Sequence, residues 1–267
     1  MNDLPDPVRP RTVSVVIPCL NDAVLLQRCL GSLRAQQVPA DEIIVVDNGS
    51  TDDSAEVARR GGAKLVTEPR RGISWATQAG FNAATGDILV RIDADILAPE
   101  DYIARLHRAW DAAEASPGRR VVGVTGVAHF ELSGAFTPLA GFISRLYLGA
   151  YRRAVGSALG HHPLFGTNFS VRADWWAEVR GTVDFSDPYV HEDMHLSFAV
   201  RPDETVWFQS DLVLAMDDRA LRGARQLAVR FHRGFYTVFH NWRHHPPHRR
   251  LAQRGLLGRR LQEVLTP

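Results

Sequence analysis

What most limits the fold of this chain is an alternation that runs through its first 115 residues. Short β-branched or aliphatic runs take turns with amphipathic stretches, and each run ends in a polar loop. The runs starting at Val13, Ile43, Lys64 and Ile88 read as four strands, the first stopped by Pro18. Between the first two, Leu25, Leu26, Cys29, Leu30 and Leu33 form one apolar stripe at helical spacing. Thr51 opens a short helix, Ile73 a third, and Pro99 an Ala-rich fourth that reaches Ala115. Strands and helices in this order fold as an α/β, doubly wound, mostly parallel sheet with helices on both faces. Ligands of such sheets sit beyond the carboxyl ends of the strands. The loops at 18–22, 47–52, 68–72 and 93–95 all fall there, so four polar loops are expected to meet in one crevice.

Ser116-Pro117-Gly118 marks a boundary, after which the pattern loosens. Strands are expected at 121–127, 206–209 and 212–216, an extended run at 165–171, and helices at 139–155 and 192–200. A last helix is expected over 220–242. Its apolar stripe holds Leu221, Ala224, Leu227, Ala228, Phe231, Phe235, Val238, Phe239 and Trp242. Arg222, Arg225, Arg233 and His240 lie on the opposite face. The end, His244 to Arg250, reads as mobile. The organisation that follows is a ligand-binding half over 1–117, a second half of the same domain over 118–218, and a basic helix and tail over 219–267.

Charge divides along the same lines. The chain of 267 residues has a formal net charge of +1, but residues 219–267 hold eleven arginines and one acid. The tail therefore carries +10 and the body −9. A basic tail on an acidic body suits an anionic partner. No nucleic-acid recognition motif accompanies it, so nucleic acid is not expected. Two cysteines, Cys19 and Cys29, make no disulfide framework and lack zinc-ligand spacing, which fits a reducing compartment. The first eleven residues lack the apolar core of a secretory signal, and no apolar run reaches the roughly 18 residues of a membrane span. The expectation is a cytoplasmic chain, peripheral on a membrane face if it meets lipid at all.

Asp93-Ala94-Asp95 closes the fourth strand. At a period of two, both carboxylates point the same way while the backbone stays extended. Hard oxygen donors of this kind suit magnesium or manganese, with substrate phosphates filling the remaining positions. Read alone, the pair is better taken as ending a strand and solvating a turn; its place after the fourth strand reverses that and favours the ligand reading.

Three blocks in the first half, Ser14 to Asn21, Glu42 to Asp52 and Gly86 to Asp95, resemble the family 2 glycosyltransferases of GT-A fold. Gly166-Thr-Asn-Phe-Ser170 and His191-Glu192-Asp193 extend the resemblance into the second half. It implies a nucleotide-sugar donor, a divalent metal (Mn or Mg) and inversion at the anomeric carbon. It also implies roles. Pro18 and Cys19 line the nucleoside pocket, and Asp47 and Asn48 face base or ribose. Asn48 stands where many relatives carry Asp, which leaves the nucleobase open. Arg70 or Arg71 approaches base or diphosphate, Asp93 and Ala94 flank the nucleotide, and Asp93 meets ribose or metal. Asp95 ligates the metal, and Asp193 is the catalytic base.

The chemistry asks for the same parts. Inverting transfer needs one base for the acceptor hydroxyl and a charge stabiliser for the leaving diphosphate. The base must come from a different segment than the metal site, and Asp193, at the start of a helix, qualifies. Glu192 is its alternate and, with Asn168, a candidate contact to acceptor or sugar. Asp22, Asp52 and Asp53 read as helix caps. Trp175 and Trp176 are candidates to stack on a sugar, although adjacent side chains point apart. Some GT-A enzymes add a late histidine to the metal. Five of the eleven histidines follow residue 219, and the sequence does not choose among them.

The basic helix has three readings: an anionic membrane surface, a cover offering arginine to the diphosphate, or a face against a second copy. Gln226 and Arg230 are spaced one residue too far for the Q-x-x-R-W motif of processive relatives, so transfer of a single sugar is expected. Acceptors in this family are often lipid-linked or cell-envelope glycans. Two rivals remain. A sugar nucleotidyltransferase would carry a Gly-rich basic loop after the first strand, where Pro18-Cys-Leu-Asn21 stands. A non-catalytic nucleotide- or sugar-binding protein would not need Asp93, Asp95 and Asp193 together.

Overall fold

A computed structural model describes residues 11–131, 149, 153, 155–217 and 224–257 of the chain. Side chains at 131, 224–228, 230 and 231 are not considered. The helix expected over 139–155 falls mostly outside the described residues.

The first half folds as read. Strands β1 (Val13–Cys19), β2 (Glu42–Asp47), β3 (Lys64–Thr67) and β4 (Ile88–Ile92) alternate with α1 (Ala23–Arg34), α2 (Ser54–Arg60) and α3 (Ile73–Ala83). β1 is central, parallel to both β2 and β4, and β3 adds in parallel to β2. Pro18 does not stop β1, which runs on to Cys19. The ladder to β4 has ended at Val16, and proline is tolerated where one side of a strand is unpaired. Alternate residues of β1 serve opposite faces. Val13, Val15, Ile17 and Cys19 pack with Leu26, Leu30 and Leu33 of α1, whereas Val16 packs with Ala76 and Phe81 of α3. Each fully buried aliphatic side chain of this set contributes about 1.5–3 kcal/mol. On the α3 face the approach is close. A Cβ at Gly80 would lie 2.2 Å from Val16 Cγ1, so only glycine lets that helix reach the sheet.

The second half continues the same sheet. After β5 (Ile96–Leu97) and α4 (Tyr102–Ala115) come β6 (Arg120–Glu131), β7 (Asn168–Arg172), α5 (Ala173–Val179), α6 (Glu192–Phe198) and β8 (Glu204–Asp217). The eight strands lie in the order β3-β2-β1-β4-β7-β6-β8-β5. β7 runs antiparallel to β4 and β6, and β5 antiparallel to β8, whereas β6 and β8 pair in parallel, so the second half is mixed. The two strands expected at 206–209 and 212–216 are one, β8. Its pairing with β6 is maintained by a shift of register between Thr125 and Val127.

Two further helices follow among the described residues, α7 (Ala224–Trp242) and α8 (Pro247–Gln253). The expectation that 244–250 is mobile is corrected here. Pro247 begins α8 at the position where proline suits a helix start. Arg250, 6% exposed, donates to the carbonyls of Leu159, Ser197, Phe198 and Val200, which fastens this segment to the body. α7 is also turned differently from its pattern. Phe235 and Phe239 face outward, 63% and 59% exposed, while Arg233 reaches inward to the carbonyls of Pro188, Tyr189 and Val190.

Candidate active site

β4 delivers Asp93 to the carboxyl edge of the sheet, and the return through β5 fixes Asp95, whose carbonyl accepts the backbone N–H of Asp217 at 3.2 Å. Both side chains are half-buried. Asp93 is held at each oxygen. Arg91 Nη1 lies 2.8 Å from Oδ1, and the Thr167 hydroxyl donates to Oδ2 at 2.8 Å. An ionised carboxylate offers about four lone-pair sites, so this arrangement orients Asp93 without exhausting it. The group that matters most here is Arg91, an arginine inside an apolar strand and only 2% exposed. Its other terminal nitrogen lies 2.7 Å from Glu192 Oε1. Burial opposes its charge, yet Asp93, Glu192, Asp193 and Asp95 together hold the guanidinium above its ordinary pKa.

Asp193 arrives from the other half of the chain, in the first turn of α6. Its Oδ2 accepts the N–H of Gly166 at 2.7 Å and its Oδ1 that of Met194 at 2.8 Å. Ser197 ties the Asp193 carbonyl at 2.7 Å and also receives the N–H of Leu164 at 2.9 Å. The carbonyl of the same Gly166 accepts from Arg91. One residue thus joins the two segments through its two flanking peptide groups, in the sequence Asp93, Arg91, Gly166, Asp193. A Cβ on Gly166 would stand 3.0 Å from Asp193 Oδ2 and 3.3 Å from Arg91 Nη1, too close for any other residue without displacement.

The remaining candidates divide. Pro18 and Asp47 sit at the ends of paired strands, and the Asp47 carboxylate accepts the Ser50 N–H at 3.0 Å. Ala94 is 3% exposed and acts through the backbone that spaces the two aspartates. Cys19 is corrected: its side chain packs in the core, 2% exposed, where burial pushes the thiol up to about 11. Asn48 is corrected as well. Its amide donates to the carbonyls of Glu68 and Arg70 at 2.8 and 2.7 Å and accepts the Gly72 N–H at 2.8 Å. At 4% exposure it locks the 68–72 loop, with both amide hydrogens spent on that loop. Arg70 forks onto Glu68 at 2.8 Å and lies over Trp75. Arg71, exposed over Gly49, has no ion pair among the described residues, so it is the cation of this loop left for an anionic ligand.

Asn168, read as a candidate contact to acceptor or sugar, is turned into the core. It is fully buried, taking the Tyr102 hydroxyl at 2.8 Å and donating to the carbonyls of Val127 and Leu212. Glu192 is likewise withdrawn, 5% exposed against Arg91. Burial, reinforced by Asp193 and Asp93 and opposed by Arg91, holds its carboxyl above the ordinary range. Trp175 and Trp176 are both core residues, their indole N–H groups on Glu204 and Asn82. Asp52 is a cap as expected, accepting the N–H groups of Ala23 and Ser54 at the starts of α1 and α2. Arg91 and Asp217 were not singled out by the sequence, and Gly166 and Thr167 only as part of a matching block with no role of their own. The one signal was an arginine interrupting an otherwise apolar strand.

A divalent cation fits these donors. Among the described residues no three His, Cys, Asp or Glu side chains gather into a cage. Asp93 and Asp95 are an incomplete, hard-oxygen set that leaves positions for phosphate oxygens.

Residues 14–175, more than half of the chain, match glycosyl transferase family 2. The succinoglycan biosynthesis protein ExoA of Rhizobium meliloti is 30% identical over 197 residues, 69% of this chain and 56% of that protein. The undecaprenyl-phosphate 4-deoxy-4-formamido-L-arabinose transferase of Yersinia enterocolitica is 32% identical over 163 residues, 57% of this chain and 46% of that one. Across the curated relatives it matches, the chain spans from about a third to just over half of their length. In fold, it is similar to a mannosyltransferase of Pyrobaculum calidifontis solved with GDP-Man and Mn2+. The TM-score is 0.63 at 24% identity, over 94% of this chain and 65% of that one. By its matched residues and by a sheet shared with GT-A enzymes, the chain belongs to glycosyltransferase family 2.

Proposed function

We propose that the chain is an inverting, metal-dependent glycosyltransferase. It moves a single sugar from a nucleoside diphosphate to an acceptor hydroxyl, on a lipid-linked or cell-envelope glycan. The observation that carries this reading is the backbone of Gly166, whose N–H and carbonyl tie Asp193 to the Arg91–Asp93 pair. A transferase of this kind needs its base and its diphosphate site fixed relative to each other, because small misplacements of reacting groups are costly. Asp193 takes the proton from the acceptor hydroxyl, its carboxylate oriented by two backbone N–H groups. Asp95, with Asp93 beside it, would hold Mn or Mg, whose Lewis acidity stabilises the charge growing on the diphosphate. Arg71 adds a cation from the 68–72 loop. Arg91 keeps Asp93 and Glu192 in place and is itself out of reach of substrate. Relatives named for undecaprenyl-phosphate transfer and succinoglycan biosynthesis support the acceptor class, and the GDP-Man and Mn2+ of the structural neighbour support the donor and the metal.

α7 is the element read as facing an anionic membrane. Val229, Phe235, Tyr236 and Phe239 project from it, and no helix among the described residues is long and apolar enough to cross a bilayer.

Calorimetric titration of UDP with and without manganese, joined to a transfer assay across UDP-, GDP- and dTDP-sugars, tests the reading. Asp95→Ala is expected to abolish the manganese-dependent gain in nucleotide binding. Asp193→Ala is expected to keep that binding and lose turnover by about 10²–10⁴-fold, the contribution of a positioned base. Equal turnover in wild type and Asp193→Ala overturns the assignment of the base.

A further inference from the structure

At the end of α6 remote from Asp193, a cavity of about 500 Å³ opens between the loop after α5, the last residues of α7 and helix α8. That volume suits a small phosphorylated molecule. Its lining holds Arg201, Arg249, Arg250 and Arg254 with His244 and His245, and no aspartate or glutamate among the described residues. Arg201 is neutralised by Glu178 and Glu204. Arg250 and Arg254 are not: both are buried, 6% and 3% exposed, and neither has an ion pair among the described residues. Backbone carbonyls and the ring of His161 take up their hydrogen bonds instead. Dipoles take up every donor nitrogen of the pair except Arg254 Nε, but leave two formal positive charges in a poorly solvated wall, an arrangement that costs free energy unless an anion compensates it. The titratable neighbours register the same field. Burial and the nearby arginines lower the pKa values of His161 and His245, and desolvation brings Arg250 and Arg254 down to about 10. Arg249 is exposed at the mouth and makes no ion pair among the described residues, so its fork is open to a ligand.

We infer that this cavity is a binding site for a phosphate-bearing ligand, separate from the Asp93–Asp95 site. Arg249 and His244 make the contacts, and Arg250 and Arg254 supply the underlying charge. Fork-shaped guanidinium groups recognise phosphate through paired, charge-assisted hydrogen bonds. The phosphate can come from a soluble ester or from a lipid headgroup, and the two are separable by experiment. This site goes beyond the transfer reaction and does not depend on it.

The test is calorimetric titration of the full chain with inorganic pyrophosphate, in EDTA so that no divalent cation bridges the probe to Asp95. Saturable binding is expected. It should weaken about tenfold or more in Arg249→Glu and in the double variant His244→Ala/Gln253→Ala, all outside the buried scaffold, and persist in Asp95→Ala. Absence of binding at millimolar pyrophosphate, or wild-type affinity in both cavity variants, overturns the proposal. Sedimentation with phosphatidylglycerol vesicles then separates the sources. Loss of vesicle binding in Arg249→Glu together with loss of pyrophosphate binding assigns a lipid headgroup. Vesicle binding equal to wild type, with pyrophosphate binding lost, assigns a soluble phosphate ester.

Discussion

Gly166 joins the halves of the candidate site more directly than any side chain does. Its N–H orients Asp193, its carbonyl receives Arg91, and the space a methyl group would need is already filled by both. Gly166→Ala is therefore expected to push the Asp193 carboxylate away from its place. Turnover should fall on the order of 10²-fold, as for other small displacements of reacting groups. The cost in stability should be about 1–3 kcal/mol, that of an overpacked contact. Steady-state kinetics beside urea unfolding separates the two, and a variant that loses stability with turnover intact refutes the positioning role. At this scale the sequence was legible where chemistry dictates residue type. Asp93, Asp95 and Asp193, read as hard oxygen donors and a base, lie at the strand end and the helix start that the pattern predicted. Asn48 and Asn168 misled because an amide is as useful inside a protein as at a ligand. Only the positions of Glu68, Arg70, Val127 and Leu212 carbonyls reveal which use is made. Arg91 was invisible for a related reason: its partners come from 75 and about 100 residues away.

Elements of the first half were readable because each strand is followed by the helix that covers it, so local pattern and tertiary contact agree. The second half breaks that agreement. β7 inserts between β4 and β6, and β8 pairs with both β6 and β5, so the register is set by strands distant in sequence. α7 shows the same limit. Periodicity gave its apolar stripe, but not which part of the stripe the body would cover. Thr237 and Asn241 face the body, Thr237 accepting from the His191 N–H and Asn241 accepting from the His195 ring. Phe235, Tyr236 and Phe239 are left on the outside. Aromatic rings on an outward helical face are what an interfacial helix presents to lipid. Phe235→Ser/Phe239→Ser is expected to lower sedimentation with anionic vesicles about tenfold or more, since each loses a large apolar group from the interface. Thermal unfolding should barely move, because neither ring is buried. Unchanged sedimentation removes α7 from the membrane reading.

Across the whole molecule, the tail that composition marked as a charged appendage is a fastening. Arg250 and Arg254 in and after α8 bind carbonyls at 159, 197, 198, 200, 201 and 204, so the α8 segment closes over the end of α6. His161 completes the fastening. Its Nδ1 contacts the His162 carbonyl at 2.8 Å and its Nε2 meets Arg250 at 3.0 Å, a pairing open only to the neutral ring. Burial, with Arg250 and Arg254 nearby, depresses its pKa from 6.5 to about 3. The sign follows from linkage. Below pH 6.5 the unfolded chain binds a proton that the folded chain refuses until about 3. The stability from this group is therefore complete above 6.5 and is lost as pH falls across that window, at up to about 1.4 kcal/mol per pH unit. His161→Gln keeps an acceptor for Arg250 but does not titrate. Urea unfolding at a series of pH values should show wild type losing stability more steeply than His161→Gln between about pH 6 and 4, with the gap closing as acid is added. Parallel losses in the two proteins would mean that His161 takes up its proton in the folded state, and that the tail is held by the carbonyl bonds of its arginines alone.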